Sequence, residues 1–115
     1  MSKQNALNNA PPFAIEQSLK KLGERLRTAR LRRNLTLDAA AAKIGTGIRA
    51  VRDAESGRAS ASIGTYWALL WAYDLLGPAE NLARPSDDVE GSALEAKRAR
   101  AGGRGRSTKA LNNDF

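Results

Sequence analysis

The chain contains no cysteine and no histidine. Without cysteine it can build neither a disulfide framework nor a thiolate metal site. That absence is compatible with a reducing compartment, and the cytoplasm is the expected location. Without histidine it lacks the commonest metal ligand and the commonest general base at neutral pH. A Ser-His-Asp triad and a zinc site are therefore excluded, and no pair of acids lies in an apolar, cleft-like setting. The serines and acids read as helix caps and solvated surface, so no catalytic residue, metal or cofactor is expected and the chain does not read as an enzyme. Long apolar runs are missing too: none approaches the roughly 20 residues a membrane-spanning helix needs. Met1 to Pro12 carries only Lys3 as a charge and no apolar core, so it does not read as a signal peptide.

What the chain has in excess is positive charge. Its 115 residues carry 19 Lys and Arg against 12 Asp and Glu, a formal net charge of +7. Such a charge gathers polyanions, and each phosphate neutralised on a nucleic acid releases condensed counterions. A merely soluble basic protein has the same total, so the placement of the charges decides. The length fits one domain plus tails, and composition divides it into three zones. Residues 1–14 are polar, with Asn5, Asn8, Asn9 and the Pro11-Pro12 pair, and read as a disordered or extended arm. Residues 15–84 hold nearly all the large apolar side chains. Residues 85–115 are an acidic link followed by a basic, glycine-containing tail.

The middle zone reads as all-α. Leu19, Leu22, Leu26 and Ala29 recur at helical spacing and should face a core, while Lys20, Lys21, Arg25, Arg27, Arg32 and Arg33 cover the other faces. Asn34 tolerates the left-handed conformation that stops a helix. Thr36 then reads as an N-cap, with Asp38 in the first turn where the helix dipole favours it. Ala40, Ala41 and Ile44 form the apolar face, and the run Ala39 to Ala42 favours helix and close approach. Gly45-Thr46-Gly47 breaks the pattern. A short helix resumes through Ile48, Val51 and Ala54 and ends at Gly57. Ser62 caps a further helix, Ile63 to about Leu76, expected to stop at Gly77-Pro78, with a short helix from Ala79 to about Ala83 after it. The Ile63 helix is apolar on nearly every face, which implies burial on more than one side. No alternating strand pattern of useful length is present.

The segment LTLDAAAAKIGTGIRAVRDAESG, Leu35 to Gly57, has the form helix, glycine turn, short helix. Ala41, Gly45, Val51 and Ala54 sit where two crossed helices must touch, and a tight turn at Gly45 sets the second helix steeply against the first. In that geometry the second helix can enter a DNA major groove while the first crosses the backbone. From about Leu22 to Gly77 the chain resembles the XRE (lambda repressor/Cro-like) helix-turn-helix family. The resemblance implies a compact five-helix lambda-repressor-like DNA-binding domain that works as a dimer on a palindromic double-stranded DNA operator, here with disordered N- and C-terminal tails. It also implies that Arg30 and Glu55 form a buried structural ion pair. Three positions depart from the family pattern. Gly47 stands where a serine-like cap is usual, Leu37 where a polar DNA-contacting residue is usual, and Ile48 where a polar groove-facing residue is usual.

Helical spacing turns Val51 and Ala54 inward and leaves Ile48, Arg49, Ala50, Arg52 and Asp53 for groove or solvent. Arg49 and Arg52 are the strongest candidates for base or phosphate contact, since arginine can bond guanine through two hydrogen bonds and small apolar groups can touch a thymine methyl. Asp53 reads as a spacer or an arginine partner. Lys43, Arg58 and Ser60 are candidates for phosphate contact, which positions a domain without reading sequence, and Thr46 in the turn joins the DNA-binding set.

A looser second resemblance covers LLGPAENLARPSDDVEGSALEAKRARAGGRGRS, which looks like the end of HipB-like antitoxins that accompany HipA-type kinase toxins. It implies an antitoxin that represses its own operon and binds a kinase partner. From Lys97 to Lys109 the tail is basic, and Gly102, Gly103 and Gly105 argue against a stable helix there. It reads as a solvated tail, a DNA-backbone arm or a segment ordered by a partner. Trp67 and Trp71, one turn apart, together with Tyr73, Leu75 and Leu82, are the expected homodimer seam. A transcriptional repressor is the leading reading, with a stand-alone phage-type regulator as its variant. A protein-interaction module that has lost DNA binding stays open because of Leu37, Gly47 and Ile48.

Overall fold

The structure, a computed structural model, describes residues 5–102. These fall into two compact units that divide between Glu80 and Asn81. Every regular element among the described residues is helical.

In the first unit a single turn, α1 (Ala6–Asn9), is capped by Asn5, whose side chain accepts a hydrogen bond from the Asn8 N–H at 3.3 Å. The long helix α2 (Phe13–Arg32) follows directly after Pro12. The expected disordered arm is therefore helical at Ala6–Asn9 and from Phe13 onward. The Asn5 cap supplies an acceptor for the first turn, and the fixed φ of Pro12 prepares the second start. Met1 to Gln4 lie outside the described residues.

α2 buries Gly23, Leu26, Ala29 and Arg30 on one stripe. It stops at Asn34, whose φ of 56° lets the Leu35 N–H reach back to the Arg30 carbonyl at 3.2 Å and the Asn34 N–H to Leu31 at 3.0 Å. Thr36 opens α3 (Leu37–Ile44) by accepting the Ala39 N–H at 3.0 Å. Gly45, with φ 75°, closes it. α4 (Ile48–Glu55) buries Val51 and Ala54 and ends at Gly57, φ 71°. α5 (Ile63–Ala72) starts at Ser62, whose hydroxyl accepts the Thr65 N–H at 3.1 Å.

α5 ends earlier than the apolar run implied. Asp74 takes a left-handed φ of 61°, and the Leu75 N–H returns to the Leu70 carbonyl at 2.7 Å. Gly77-Pro78 does not stop this helix. Both residues lie inside the next single turn, α6 (Leu76–Ala79), where a missing proline N–H costs nothing because first-turn N–H groups have no helical partner. The first unit is thus four packed helices flanked by two single turns, so the expected count of five does not hold as such.

The core is Leu26, Ala29, Ala40, Ala41, Val51, Ala54, Tyr66, Leu69 and Tyr73, with Leu19, Leu22, Leu37, Ile44, Trp67 and Leu70 packed around it. Two glycines allow the closest approaches. A Cβ on Gly23 would lie 2.5 Å from the Glu55 carbonyl oxygen, and one on Gly57 would lie 2.5 Å from that of Leu19. Arg33 ties the end of α2 to the end of α5. Its guanidinium donates to the carbonyls of Ala29 at 2.9 Å and Tyr73 at 2.8 Å and sits 5.4 Å from the Tyr73 ring centroid.

The second unit contains a 3₁₀ turn at Pro85–Asp87 and α7 (Val89–Gly102). Asp88 caps α7 by accepting the Gly91 N–H at 2.9 Å. No residue of α7 is buried. The basic segment is helical as far as Gly102, against the expectation for Lys97 onward. The helix-favouring run Leu94 to Ala101 prevails until the first glycine. Residues 103–115, with Gly103, Gly105, Arg104, Arg106 and Lys109, lie outside the described residues.

Candidate nucleic-acid interface

α4 is held from behind by several independent contacts. Val51 and Ala54 are fully buried. The Gly23 backbone lies against the carbonyls of Ala54 and Glu55. Glu55 accepts two hydrogen bonds from Arg30, Nε to Oε2 at 2.6 Å and Nη2 to Oε1 at 3.1 Å, while Arg30 Nη1 donates to the Leu35 carbonyl at 2.8 Å. Arg30 is itself only 7% exposed. Its hydrogen bonds to Glu55 raise its pKa further above the ordinary range, outweighing burial, which lowers it. A buried, two-pronged pair of this kind fixes the end of α4 against the last turn of α2.

The opposite face of α4 points outward. Arg49 and Arg52 are exposed, and Ile48, Ala50 and Asp53 are half-buried. Asp53 Oδ1 pairs with Arg58 Nε at 3.6 Å. Lys43 and Thr46, before and within the turn, are exposed, as are Arg58 and Ser60 in the loop after α4. That loop is fixed by Tyr66, whose hydroxyl donates to the Arg58 carbonyl at 2.9 Å. Burial pushes the Tyr66 hydroxyl pKa up, with the nearby Asp53 charge acting in the same direction. Gly47 occupies the cap position of α4 without a side-chain hydrogen bond, in open space. Leu37 is half-buried and packs on the core, so the departure from a polar residue there fills the hydrophobic interior.

The expected dimer seam is corrected at Tyr73. Tyr73 is 1% exposed and belongs to the core, because its N–H still bonds the Leu69 carbonyl at 3.0 Å and helical register sets it on the buried face of Tyr66 and Leu69, with Arg33 over its ring. Leu82 is exposed but belongs to the second unit. Trp67 is half-buried against the core. Within the first unit Trp71, 64% exposed, and Leu75, 38% exposed, are the members of the set that face outward, joined by Ile63 at 67%. Gly23 was missed by sequence reasoning, although its position beside Leu22 and Leu26 on the apolar stripe was a usable signal.

A helix, a left-handed glycine turn and a short helix whose back is buried and whose front carries two exposed arginines, without an acidic partner among the described residues, are now in view. The model of a helix-turn-helix domain family matches residues 21–83, more than half of the chain. The chain belongs to this helix-turn-helix family. The domain is of the XRE-like type, with α3 and α4 as its motif, and membership points to a DNA-binding regulator. No curated protein and no solved structure matches the chain. Among the described residues, no helix is long and apolar enough to cross a membrane.

Proposed function

We propose that this helix-turn-helix protein is a sequence-specific transcriptional repressor that binds a palindromic operator as a homodimer. The observation that carries the reading is the pairing of a fully buried back on α4, Val51 and Ala54, with an exposed front that holds Arg49 and Arg52. A rigid helix presenting two exposed guanidiniums suits guanine contacts in a major groove. Lys43, Thr46 and Ser60 surround that front and serve the phosphates, which position the domain without specifying sequence.

Support for the homodimer comes from Trp71, Ile63 and Leu75, large apolar groups left in solvent by a domain with a small core. A two-fold pair sets two copies of α4 about 34 Å apart, one turn of DNA.

The test is selection of duplexes from a random-sequence pool, followed by gel shift across a salt series. A selected motif with two-fold symmetry is expected, together with a log–log salt slope of about −0.9 per phosphate neutralised. Arg49→Ala and Arg52→Ala should each cost roughly 1–3 kcal/mol of discrimination. Failure to enrich any sequence, with a flat salt response, refutes the DNA reading in favour of a protein-interaction module.

The narrower reading is the autoregulatory antitoxin of a HipA-type kinase toxin. Its support is the order of the C-terminal segment, Asp87 and Asp88 before α7, then Glu90 followed by Lys97, Arg98 and Arg100 on that helix, which has no buried residue of its own. Co-expression with the product of the adjacent reading frame tests it. A kinase-like toxin that the protein neutralises and co-purifies with supports the antitoxin, and its absence leaves a stand-alone regulator.

A further inference from the structure

We propose that Arg58 acts on base recognition through Asp53: by holding that carboxylate, it keeps Arg49 free to meet DNA. The inference rests on the DNA-binding reading above. Asp53 lies four residues beyond Arg49 on α4, the spacing at which opposite charges on one helix pair. The structure nevertheless pairs Asp53 with Arg58, Oδ1 to Nε at 3.6 Å. Arg49 is exposed and has no acidic partner among the described residues.

Arg58 can play this part because its backbone is fixed on both sides. Its N–H donates to the Asp53 carbonyl at 3.1 Å, closing the end of α4. Its carbonyl accepts the Tyr66 hydroxyl at 2.9 Å and the Ala61 N–H at 3.2 Å. The preceding Gly57 sits at φ 71° in a gap too narrow for any Cβ. The Arg58 side chain therefore starts from a fixed anchor and folds back toward the helix the chain has just left.

Without that counter-charge, the Asp53 carboxylate has two effects on the same face. It repels the phosphates that approach α4, well within the screening length of about 8 Å. It also draws on the Arg49 guanidinium, whose two-pronged geometry is what guanine recognition uses. Arg58 is thus a positioning residue for the recognition face: besides a uniform loss from phosphate repulsion, its removal lowers sequence preference through Arg49. A plain phosphate contact would lower affinity for every sequence alike.

The probes are duplexes selected from a random pool by the parent protein, and the unselected pool itself. The proteins are the parent, Arg58→Ala, Asp53→Asn and the Arg58→Ala/Asp53→Asn double variant. Both side chains reach solvent, and circular dichroism confirms that each variant is folded. Arg58→Ala is expected to lose about twofold in preference for selected over unselected DNA, the worth of a surface pair at i,i+4 spacing that now competes for Arg49. The double variant is expected to regain most of it, and Asp53→Asn alone to keep it. Three results overturn the proposal. One is equal weakening of Arg58→Ala on both probes, with a salt slope shallower by about one and no rescue, the signature of a phosphate contact alone. Another is loss of preference in Asp53→Asn alone, which makes Asp53 a base reader. The third is a parent with no preference at all, which refutes the DNA reading itself and is distinguishable from the other two.

Discussion

Removing the Glu55 side chain should be among the most damaging single changes available to this domain. In Glu55→Ala, Arg30 keeps its 7% exposure and its bond to the Leu35 carbonyl but loses both the 2.6 Å and the 3.1 Å partner. A guanidinium cannot escape by losing its proton at ordinary pH, so an uncompensated charge stays inside. Breaking a buried pair in this way costs about 3–5 kcal/mol, against a total stability of about 5–15 kcal/mol for a natural domain. The equivalent cut at the exposed Asp53–Arg58 pair should cost no more than about 1 kcal/mol. Urea denaturation followed by helical circular dichroism measures both. High salt should leave the Glu55→Ala loss nearly unchanged, because a buried pair is poorly screened. Replacing both partners, Arg30→Met with Glu55→Leu, should recover most of the loss, since no charge is then stranded. A Glu55→Ala loss below about 1 kcal/mol, or a double variant as unstable as the single one, would refute the reasoning.

Gly23→Ala gains up to about 1 kcal/mol of helix propensity, yet its methyl meets backbone carbonyl oxygens at 2.5 and 2.7 Å. A net loss of about 1–3 kcal/mol in urea denaturation is expected, because backbone cannot give way as a flexible side chain can. Tyr73→Phe should leave stability at neutral pH unchanged or raise it by about 1 kcal/mol, since the buried hydroxyl has no hydrogen-bond partner among the described residues. Burial holds the Tyr66 and Tyr73 hydroxyls above the ordinary value of 10.0, so the unfolded chain ionises first. Their contribution is intact below about pH 10 and is lost as pH rises past it; melting temperature against pH should show that fall, reduced in Tyr73→Phe. Trp71→Glu should shift sedimentation at micromolar concentration from dimer to monomer without unfolding the domain, because Trp71 is 64% exposed. A variant that stays dimeric places the seam elsewhere.

Much of this molecule was legible in the chain itself. The missing cysteine and histidine removed whole classes of chemistry, and the caps at Thr36 and Ser62 and the left-handed stops at Asn34, Gly45 and Gly57 are where the residue types put them. So are the inward faces of Ala40, Ala41, Val51 and Ala54. These features depend on a few neighbouring residues, through capping, backbone sterics and helical period, and need no knowledge of distant parts. They are also enough to specify helix, turn and helix, and hence the motif.

The tertiary structure decided the rest. Tyr73 and Trp71 lie in one uniformly apolar run, and no periodicity separates them. The face of α5 that packs on α3 and α4 carries Tyr66, Leu69 and Tyr73, and this choice of face buries Tyr73 and leaves Trp71 in solvent. Helical spacing offered Arg49 as a partner for Asp53, but the folded loop brings Arg58 to it. Gly23 drew no reading from the sequence, and its role appears only where α4 comes to rest against it. In each case the outcome depends on which distant element approaches and how closely. That is set by the packing of the whole core, which no local pattern of residues contains.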